Sequence, residues 1–166
     1  MTLTTADTRE RASCAANDVP LGGLSSGALA SELAAGRLPA FSFITPDLCN
    51  DSHDCPVGTG DSWLSGWMRK LIASSAYQAG RTAIVITWDE GEGGSVPHGG
   101  DCLAHLTDKG CKVTAIVVSP TTHQRTATAL FSHYSLLRTT EELLGLPRLG
   151  HAGDASTASL RAPFHL

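Results

Sequence analysis

Residues 82–94 read Thr-Ala-Ile-Val-Ile-Thr-Trp-Asp-Glu-Gly-Glu-Gly-Gly, a short apolar run that leads directly into two adjacent carboxylates and a loop without bulky side chains. Such a run is typical of a buried parallel strand, and ligands in such folds bind just past the carboxyl ends of the strands. Asp89 and Glu90 occupy that position. Because neighbouring carboxylates repel each other unless a cation neutralises them, we expect a metal site here; the alternative is a solvated acidic turn.

The residues that precede this strand predict two helices and a further strand. Residues 23–36 have the apolar spacing of a short amphipathic helix ended by glycine, and residues 39–45 read as a strand stopped by Pro46. After a polar loop, Asp61 is placed to cap a long helix. Its broad apolar face, which we expect to lie in the core rather than to form a stacking platform for a ligand, consists of Trp63, Leu64, Trp67, Met68, Leu71 and Ile72.

The residues that follow the 82–87 run complete the predicted organisation. Residues 113–118 predict another strand, and residues 133–144 predict a final helix stopped by Gly145 and Pro147. Strands that alternate with helices favour an α/β fold with a parallel sheet. The chain then divides into an irregular lead-in, a domain and a tail, at residues 1–22, 23–150 and 151–166.

Composition excludes several classes of function. With 166 residues the chain has the size of one domain. Its net charge is −4, and no segment concentrates Lys or Arg, so we do not expect nucleic acid as a partner. The apolar runs are far shorter than the roughly 20 residues that span a bilayer. The first residues also lack the apolar core of a secretory signal, so the sequence predicts no export signal in this chain.

The five cysteines nevertheless suggest an oxidising compartment. Cys49 and Cys55 span one polar loop, and Cys102 and Cys111 span another. We expect two loop-closing disulfides; zinc ligation and free buried thiols are the alternatives, although five and eight intervening residues are more than usual for paired zinc ligands. Cys14 is left over, and its partner would lie on sequence that this chain does not contain.

Two histidines are candidates for contact with a substrate. His53 lies between two aspartates in the Cys49–Cys55 loop, where flanking carboxylates favour an imidazolium that can bind a phosphate oxygen or protonate a leaving group. His133 begins the last predicted helix, where exposed N–H groups favour anions. The alternatives are a hydrogen bond within the loop for His53 and a capping or packing role for His133.

Four blocks of sequence together carry a resemblance to a known enzyme family. They are LPAFSFITPDLCNDSHDCPVGTGDSWL (38–64), IVITWDEGEG (84–93), VTAIVVSP (113–120) and HYSLLRTTEELLGLPRLG (133–150). In this order the chain resembles the C-terminal part of the bacterial phosphoesterase family of acid phosphatases and phosphocholine-type phospholipases C, in the alkaline-phosphatase-like superfamily. The resemblance covers most of residues 14–150.

The resemblance implies both a fold and an activity. The fold would be the C-terminal portion of a parallel-sheet sandwich of the alkaline-phosphatase-like type. Asp89 and Glu90 would bind a divalent metal ion, His53 would contact the phosphate or the leaving group of the substrate, and His133 would lie close to the same pocket. The substrate would be a phosphate ester or a phospholipid head group. The family and the cysteine pairs together imply an extracellular or periplasmic location.

The chain departs from this family in length. Members are typically much longer, and their upstream part supplies a Glu-Asn metal-binding pair and the Ser or Thr at the reacting centre. We therefore expect a truncated fragment that has weak or no activity alone and associates through an incomplete sheet edge. The alternative, from a different class of function, is a non-catalytic α/β domain that retains the fold as a binding or structural module.

Overall fold

The computed structural model of the protein describes residues 5–96, 102 and 104–166. The chain divides into two compact units, residues 1–78 and 79–166. Helices and strands both occur, as the α/β class predicts, and no helix in the described part of the chain is long and apolar enough to cross a membrane. In chain order the elements are α1 (Thr5–Asn17), α2 (Ala28–Ala35), α3 (Val57–Ala73), α4 (Ser75–Gln78), β1 (Ile84–Thr87), β2 (Ala115–Val118), α5 (His133–Leu144) and α6 (Arg161–Phe164).

Helix α3 provides most of the buried apolar surface of the first unit. Trp67 is 2% exposed and Leu71 is 9% exposed. The rings of Trp63 and Trp67 meet edge to face with centroids 6.4 Å apart. Gly66 permits close packing, because a Cβ there would lie 2.8 Å from a methyl carbon of Leu24. The core role predicted for the tryptophans is therefore confirmed for Trp67.

The start of α3 corrects the role predicted for Asp61. The helix begins at Val57, so Asp61 lies inside it and does not cap it. Pro56 occupies the N-cap position with a φ of −56°. That angle suits the entry to a helix, and the missing proline N–H costs nothing at this point. The disulfide between Cys49 and Cys55 closes the preceding loop just before this proline, so the helix can begin immediately after it.

The N-terminal part of the first unit contains more helix than predicted. Helix α2 spans Ala28–Ala35 and is followed by Gly36 in the left-handed conformation with a φ of 65°. The predicted glycine stop is therefore confirmed, but the helix begins at Ala28 and not at residue 23. The prediction of an irregular lead-in over residues 1–22 is wrong for residues 5–17, which form α1; residues 1–4 lie outside the described residues. Alanine and arginine recur in α1, and their high helix propensity explains the difference.

Residues 39–45 do not form the predicted strand. The segment bends at Ala40 and Phe41, and it has no sheet partner among the described residues. Phe41 is 54% exposed and Phe43 is 81% exposed. The sequence pattern has strand character, but a strand exists only where a second one pairs with it. This part of the prediction is therefore wrong for the chain as described.

The two strands that do form pair antiparallel, which corrects the predicted parallel arrangement for this pair. Ile84 lies opposite Val118, and Thr87 lies opposite Ala115. Parallel neighbours require a crossover connection, which is usually a helix. The described residues between β1 and β2 contain a 3₁₀ turn at Lys109–Cys111 but no α-helix. Since the described residues of this connection form no crossover helix, the antiparallel direction of β2 is the expected one.

Helix α5 organises the second unit together with the residues that follow it. Its bounds agree with the predicted helix, and Gly145 ends it with a φ of 66°. Thr139, which is 2% exposed, accepts a hydrogen bond from the Leu160 backbone N–H at 2.8 Å. Ala152 is 0% exposed and Leu160 is 5% exposed. Residues 151–166, predicted as a tail, are therefore part of the folded unit.

Candidate active site

The second unit presents the two predicted metal ligands at the end of β1. All four residues of β1 are half-buried, and Trp88, Asp89 and Glu90 follow them as exposed residues. The anchored strand fixes the position of the backbone, while the exposure of the carboxylates leaves them accessible to solvent. Asp89 and Glu90 thus lie just past the carboxyl end of β1, and their predicted role as metal ligands stays a prediction.

The turn that follows the carboxylates requires glycine. Gly91 donates a backbone hydrogen bond to the carbonyl oxygen of Gly110 at 3.1 Å. A Cβ at Gly91 would lie 2.3 Å from the Lys109 carbonyl oxygen and 2.4 Å from that of Lys112. No real side chain tolerates such contacts with backbone, so Gly91 allows the chain to pass directly against the 109–112 segment. The backbone just after Glu90 is thereby held in place.

Asp108 provides a second attachment for the same loop. Its carboxylate accepts hydrogen bonds from the Ser95 backbone N–H at 2.8 Å, from the Ser95 hydroxyl at 2.7 Å and from the Gly110 N–H at 2.8 Å. The Ser95 hydroxyl, helped by these backbone donors, holds the pKa of Asp108 below its usual value. Gly94 comes close to the same carboxylate, since a Cβ there would lie 2.0 Å from Asp108 Oδ1. Asp108 is therefore a structural anion in this loop.

His133 connects the start of α5 to the end of β1. Its Nε2 lies 2.9 Å from the carbonyl oxygen of Trp88. Because a carbonyl oxygen can only accept, Nε2 carries the proton and donates. Ser135, 2% exposed, accepts a hydrogen bond from the Ser132 N–H at 3.1 Å and so secures the first turn of the helix. His133 therefore contacts the backbone of the residue before Asp89, and its predicted place close to a substrate pocket stays a prediction.

The loop that carries His53 belongs to the first unit and has its own supports. Asp47 Oδ1 accepts hydrogen bonds from the N–H groups of Cys49 at 3.1 Å and Asn50 at 2.9 Å. The loop also lies directly on helix α3, because a Cβ at Gly60 would lie 2.3 Å from Ser52 Oγ. The Cys49–Cys55 disulfide closes it. This short loop is therefore held at three points.

Two aspartates position His53 within that loop. The His53 backbone N–H donates to Asp51 Oδ1 at 2.8 Å, and the ring Nδ1 lies 2.8 Å from Asp54 Oδ1. The side chain of His53 is 71% exposed. A carboxylate at this distance stabilises positive charge on the ring. The predicted hydrogen bonding within the loop is therefore present, on a side chain that solvent can reach.

The candidate residues fall into two groups, which the structure describes separately. His133, Asp89 and Glu90 belong to the second unit, and His53 belongs to the first. Carboxylate oxygens suit hard divalent cations. Within residues 5–96, 102 and 104–166, however, no group of three or more His, Cys, Asp or Glu side chains lies close enough to hold a metal ion. Asp89 and Glu90 therefore belong to no such group among the described residues, and the predicted metal site stays a prediction.

Both predicted disulfides are confirmed. Cys49 is bonded to Cys55 and Cys102 is bonded to Cys111, which leaves Cys14 as an exposed free thiol. The pairing excludes zinc ligation by these four residues. Disulfides of this kind are typical of proteins from oxidising compartments.

Sequence reasoning did not single out Asp108 or the depression beside it. Gly94, Ser95, His105 and Asp108 line this open depression, which has a volume of about 450 Å³. The available signal was the spacing of Asp108 and Gly110, because an aspartate that accepts from the N–H two residues later is typical of a turn.

Comparison with known proteins places the chain in a family. The model of the phosphoesterase family matches residues 7–147. The chain is 34% identical over 125 residues to a phosphatidylinositol-3-phosphatase of Mycobacterium tuberculosis, a match that covers 71% of this chain and 34% of that protein. It is 31% identical over 120 residues to an acid phosphatase of Aspergillus fumigatus, which covers 72% of this chain and 24% of that protein. No solved structure matches.

These relatives are considerably longer than this chain, which spans about a third or less of their length. The match nevertheless includes the β1 end with Asp89 and Glu90, the His53 loop and the first helical turns of α5. By the extent of the family match, this chain belongs to the phosphoesterase family.

Proposed function

We propose that this chain provides part of the active site of a hydrolase that cleaves phosphate esters. Three observations support the proposal: the family match over residues 7–147, two acid phosphatase or phosphoinositide phosphatase relatives at 31% and 34% identity, and the exposed carboxylate pair at the end of β1. Phosphoryl transfer depends mainly on charge stabilisation and positioning, so a site that holds charged groups on a rigid backbone suits it.

The hydrogen bond between His133 and the Trp88 carbonyl oxygen is the observation that carries this proposal furthest. It joins the start of α5, where the N–H groups of the first turn favour an anion, to the residue that precedes Asp89. A phosphate bound near this end of the unit would face the helix start and lie beside the carboxylate pair. We assign His133 a positioning role, because its Nε2 proton is used to hold the Trp88 backbone.

We assign His53 contact with the substrate phosphate or its leaving group. The neighbouring carboxylate of Asp54, at 2.8 Å from Nδ1, favours the charged imidazole. A charged imidazole can bind a phosphate oxygen or give its proton to a departing alkoxide. The rigid disulfide-closed loop keeps the ring in position, which reduces the entropy lost on binding.

We propose that Asp89 and Glu90 contribute carboxylate oxygens to a divalent metal ion whose remaining ligands lie outside the described residues. The chemistry of the donors supports a hard cation. Such an ion, when bound, would neutralise negative charge on the phosphoryl oxygens. The group that attacks phosphorus is not assigned to any residue of this chain, and we therefore expect the chain alone to be only weakly active.

We propose phosphate monoesters as the first substrate class and phospholipid head groups as the second. The two relatives described above are phosphatases, which supports monoesters. We also propose an extracellular or periplasmic location, supported by the two disulfides and by the fungal acid phosphatase relatives. The finer fold, a parallel-sheet sandwich of the alkaline-phosphatase-like type, is proposed for the longer family members of which this chain resembles the C-terminal portion.

Hydrolysis assays with two substrates test the function. We expect the purified chain to cleave p-nitrophenyl phosphate slowly and only with an added divalent metal, and to cleave p-nitrophenyl phosphorylcholine less well. Asp89→Asn should abolish this turnover. Glu92→Gln, an exposed carboxylate on the same loop, is the matched control and should retain it. Equal turnover in both variants would contradict the assignment, and a chain that binds neither metal nor phosphate would favour the non-catalytic α/β module.

A further inference from the structure

The segment from Ala40 to Thr45 has the sequence of a strand but pairs with no other strand among the described residues. Its backbone N–H and C=O groups form no backbone–backbone hydrogen bond with other described residues. Phe43 is 81% exposed and Phe41 is 54% exposed, on alternate positions of the segment. Unpaired backbone beside exposed aromatic side chains is an open edge on which another strand can add.

This segment is complementary to itself when two copies run antiparallel. With Ser42 opposite Ser42 of the second copy, Phe41 faces Phe43 on both sides of the two-fold axis. Side chains alternate between the two faces of a strand. If the register shifted by one residue, the phenylalanines of one copy would therefore lie opposite residues from the other face of the second copy. The flanking charges are also complementary in this register, because Arg37 of one copy lies opposite Asp47 of the other.

We propose that residues 40–45 form an antiparallel two-stranded interface with a second copy of this chain. The occupant of the open edge is thus the same segment of another molecule, related by a two-fold axis. This inference does not depend on the catalytic proposal, because the segment contains none of the assigned site residues.

The positions of the prolines determine which residue pairs of this register can form backbone hydrogen bonds. If the central Ser42 pair exchanges both hydrogen bonds, the next such pairs join Ala40 and Ile44, and none of these positions is a proline. In this phase the Phe41 and Phe43 pairs are the non-hydrogen-bonded ones, whose side chains lie closer together. Pro39 and Pro46 lack N–H groups and therefore limit the pairing to the segment between them.

Pairing requires two local changes. The bend at Ala40 and Phe41 must straighten, and the exposed ion pair of Arg37 with Glu32, 3.3 Å long, must share Arg37 with the incoming Asp47. Both groups lie on the surface, and an exposed ion pair of this kind contributes little to stability. Burial of four phenylalanine rings across the axis opposes these costs.

Sedimentation of the full chain over a range of concentrations tests the interface. We expect a monomer–dimer equilibrium, with a dimer of twice the 17.3 kDa of one chain. Phe43→Lys should raise the dimer dissociation constant by about tenfold or more, because it removes two aromatic pairs and places like charges across the axis. Val57→Lys is the matched control, since Val57 is an apolar residue of the same unit that is 75% exposed, and it should leave the constant unchanged.

A cross-link tests the register independently of any loss of folding. In a Cys14→Ser background, which removes the exposed free thiol, Ser42→Cys should form a disulfide between two copies under mild oxidation. Thr45→Cys should not, because residue 45 does not face itself in this register. A chain that stays monomeric, a dimer that Phe43→Lys leaves intact, or equal cross-linking at positions 42 and 45 would each overturn the proposal.

Discussion

His133 Nε2 donates a hydrogen bond to the carbonyl oxygen of Trp88, at 2.9 Å, and so ties the first residue of α5 to the residue that precedes Asp89. The two residues are far apart in sequence but adjacent at one end of the second unit. This contact fixes the histidine tautomer and restrains the backbone that delivers the carboxylate pair.

Removal of the His133 imidazole should lower the stability of the second unit. We expect His133→Ala to cost about 1 kcal/mol in the free energy of unfolding, the usual value of one hydrogen bond, and to weaken binding of inorganic phosphate. Urea denaturation and calorimetric titration with phosphate measure the two effects. His123→Ala, which alters another exposed histidine of the same unit, serves as the control. Equal losses of stability and of phosphate binding in both variants would contradict the positioning role of His133.

Two glycines of α3 should respond oppositely to alanine. A Cβ at Gly60 would lie 2.3 Å from Ser52 Oγ and 2.9 Å from the Asn50 carbonyl oxygen, whereas a Cβ at Gly58 meets nothing within 4 Å. Gly60→Ala should therefore displace the His53 loop and lower the melting temperature, while Gly58→Ala should raise stability by about 0.5–1 kcal/mol. Calorimetry together with limited proteolysis of the 47–55 loop provides the measurement. If both variants behaved alike, the loop would not rest on α3.

The contact between Thr139 and the chain after α5 should be costly to break. Thr139→Val keeps the shape of the side chain but leaves the Leu160 N–H, now bonded to Thr139 Oγ1 at 2.8 Å, without an acceptor in a buried position. We expect a loss of about 1–3 kcal/mol by urea denaturation. Thr140→Val is the matched control, because the Thr140 hydroxyl donates to the Leu136 carbonyl oxygen within the same helix. A larger loss for Thr140→Val would contradict this account of the C-terminal segment.

Glu142 should make the stability of the second unit depend on pH. The Ser159 hydroxyl, followed by Arg138 and Arg148, holds the pKa of Glu142 below its usual value. The group binds fewer protons in the folded state, so its stabilisation is fully present well above about pH 4.3, the usual value for glutamate, and is lost as the pH falls through the folded pKa. Glu142→Gln should therefore cost about 2 kcal/mol at pH 7, and this cost should vanish in acid. The exposed Glu92→Gln should cost little at either pH; a cost for Glu142→Gln that is the same at pH 7 and in acid would contradict the assignment.

The elements that the sequence predicted well are those defined by local signals. Gly36 and Gly145 end α2 and α5 as predicted, because left-handed glycine caps depend only on nearby backbone. The two disulfides were likewise indicated by short cysteine spacings in polar loops.

The errors arose where pairing or longer-range context decides the structure. Residues 39–45 have a strand pattern, but no local signal reports whether a partner strand is present. The direction of β2 relative to β1 depended on the connection between them and not on either strand. Asp61 was a reasonable cap by residue type, and Pro56 started the helix earlier. Asp108 was missed because its role depends on Ser95, which is remote in sequence.

Titration with divalent metals tests the central claim most directly, namely that the carboxylates after β1 form a metal-binding part of a phosphoesterase site. The melting temperatures of the native chain, Asp89→Asn and Glu92→Gln would be measured against Mg²⁺, Ca²⁺, Mn²⁺ and Zn²⁺. The account predicts a saturable rise with at least one metal in the native chain and in Glu92→Gln, and no rise in Asp89→Asn. The same rise in all three proteins, or no rise in any of them, would contradict it.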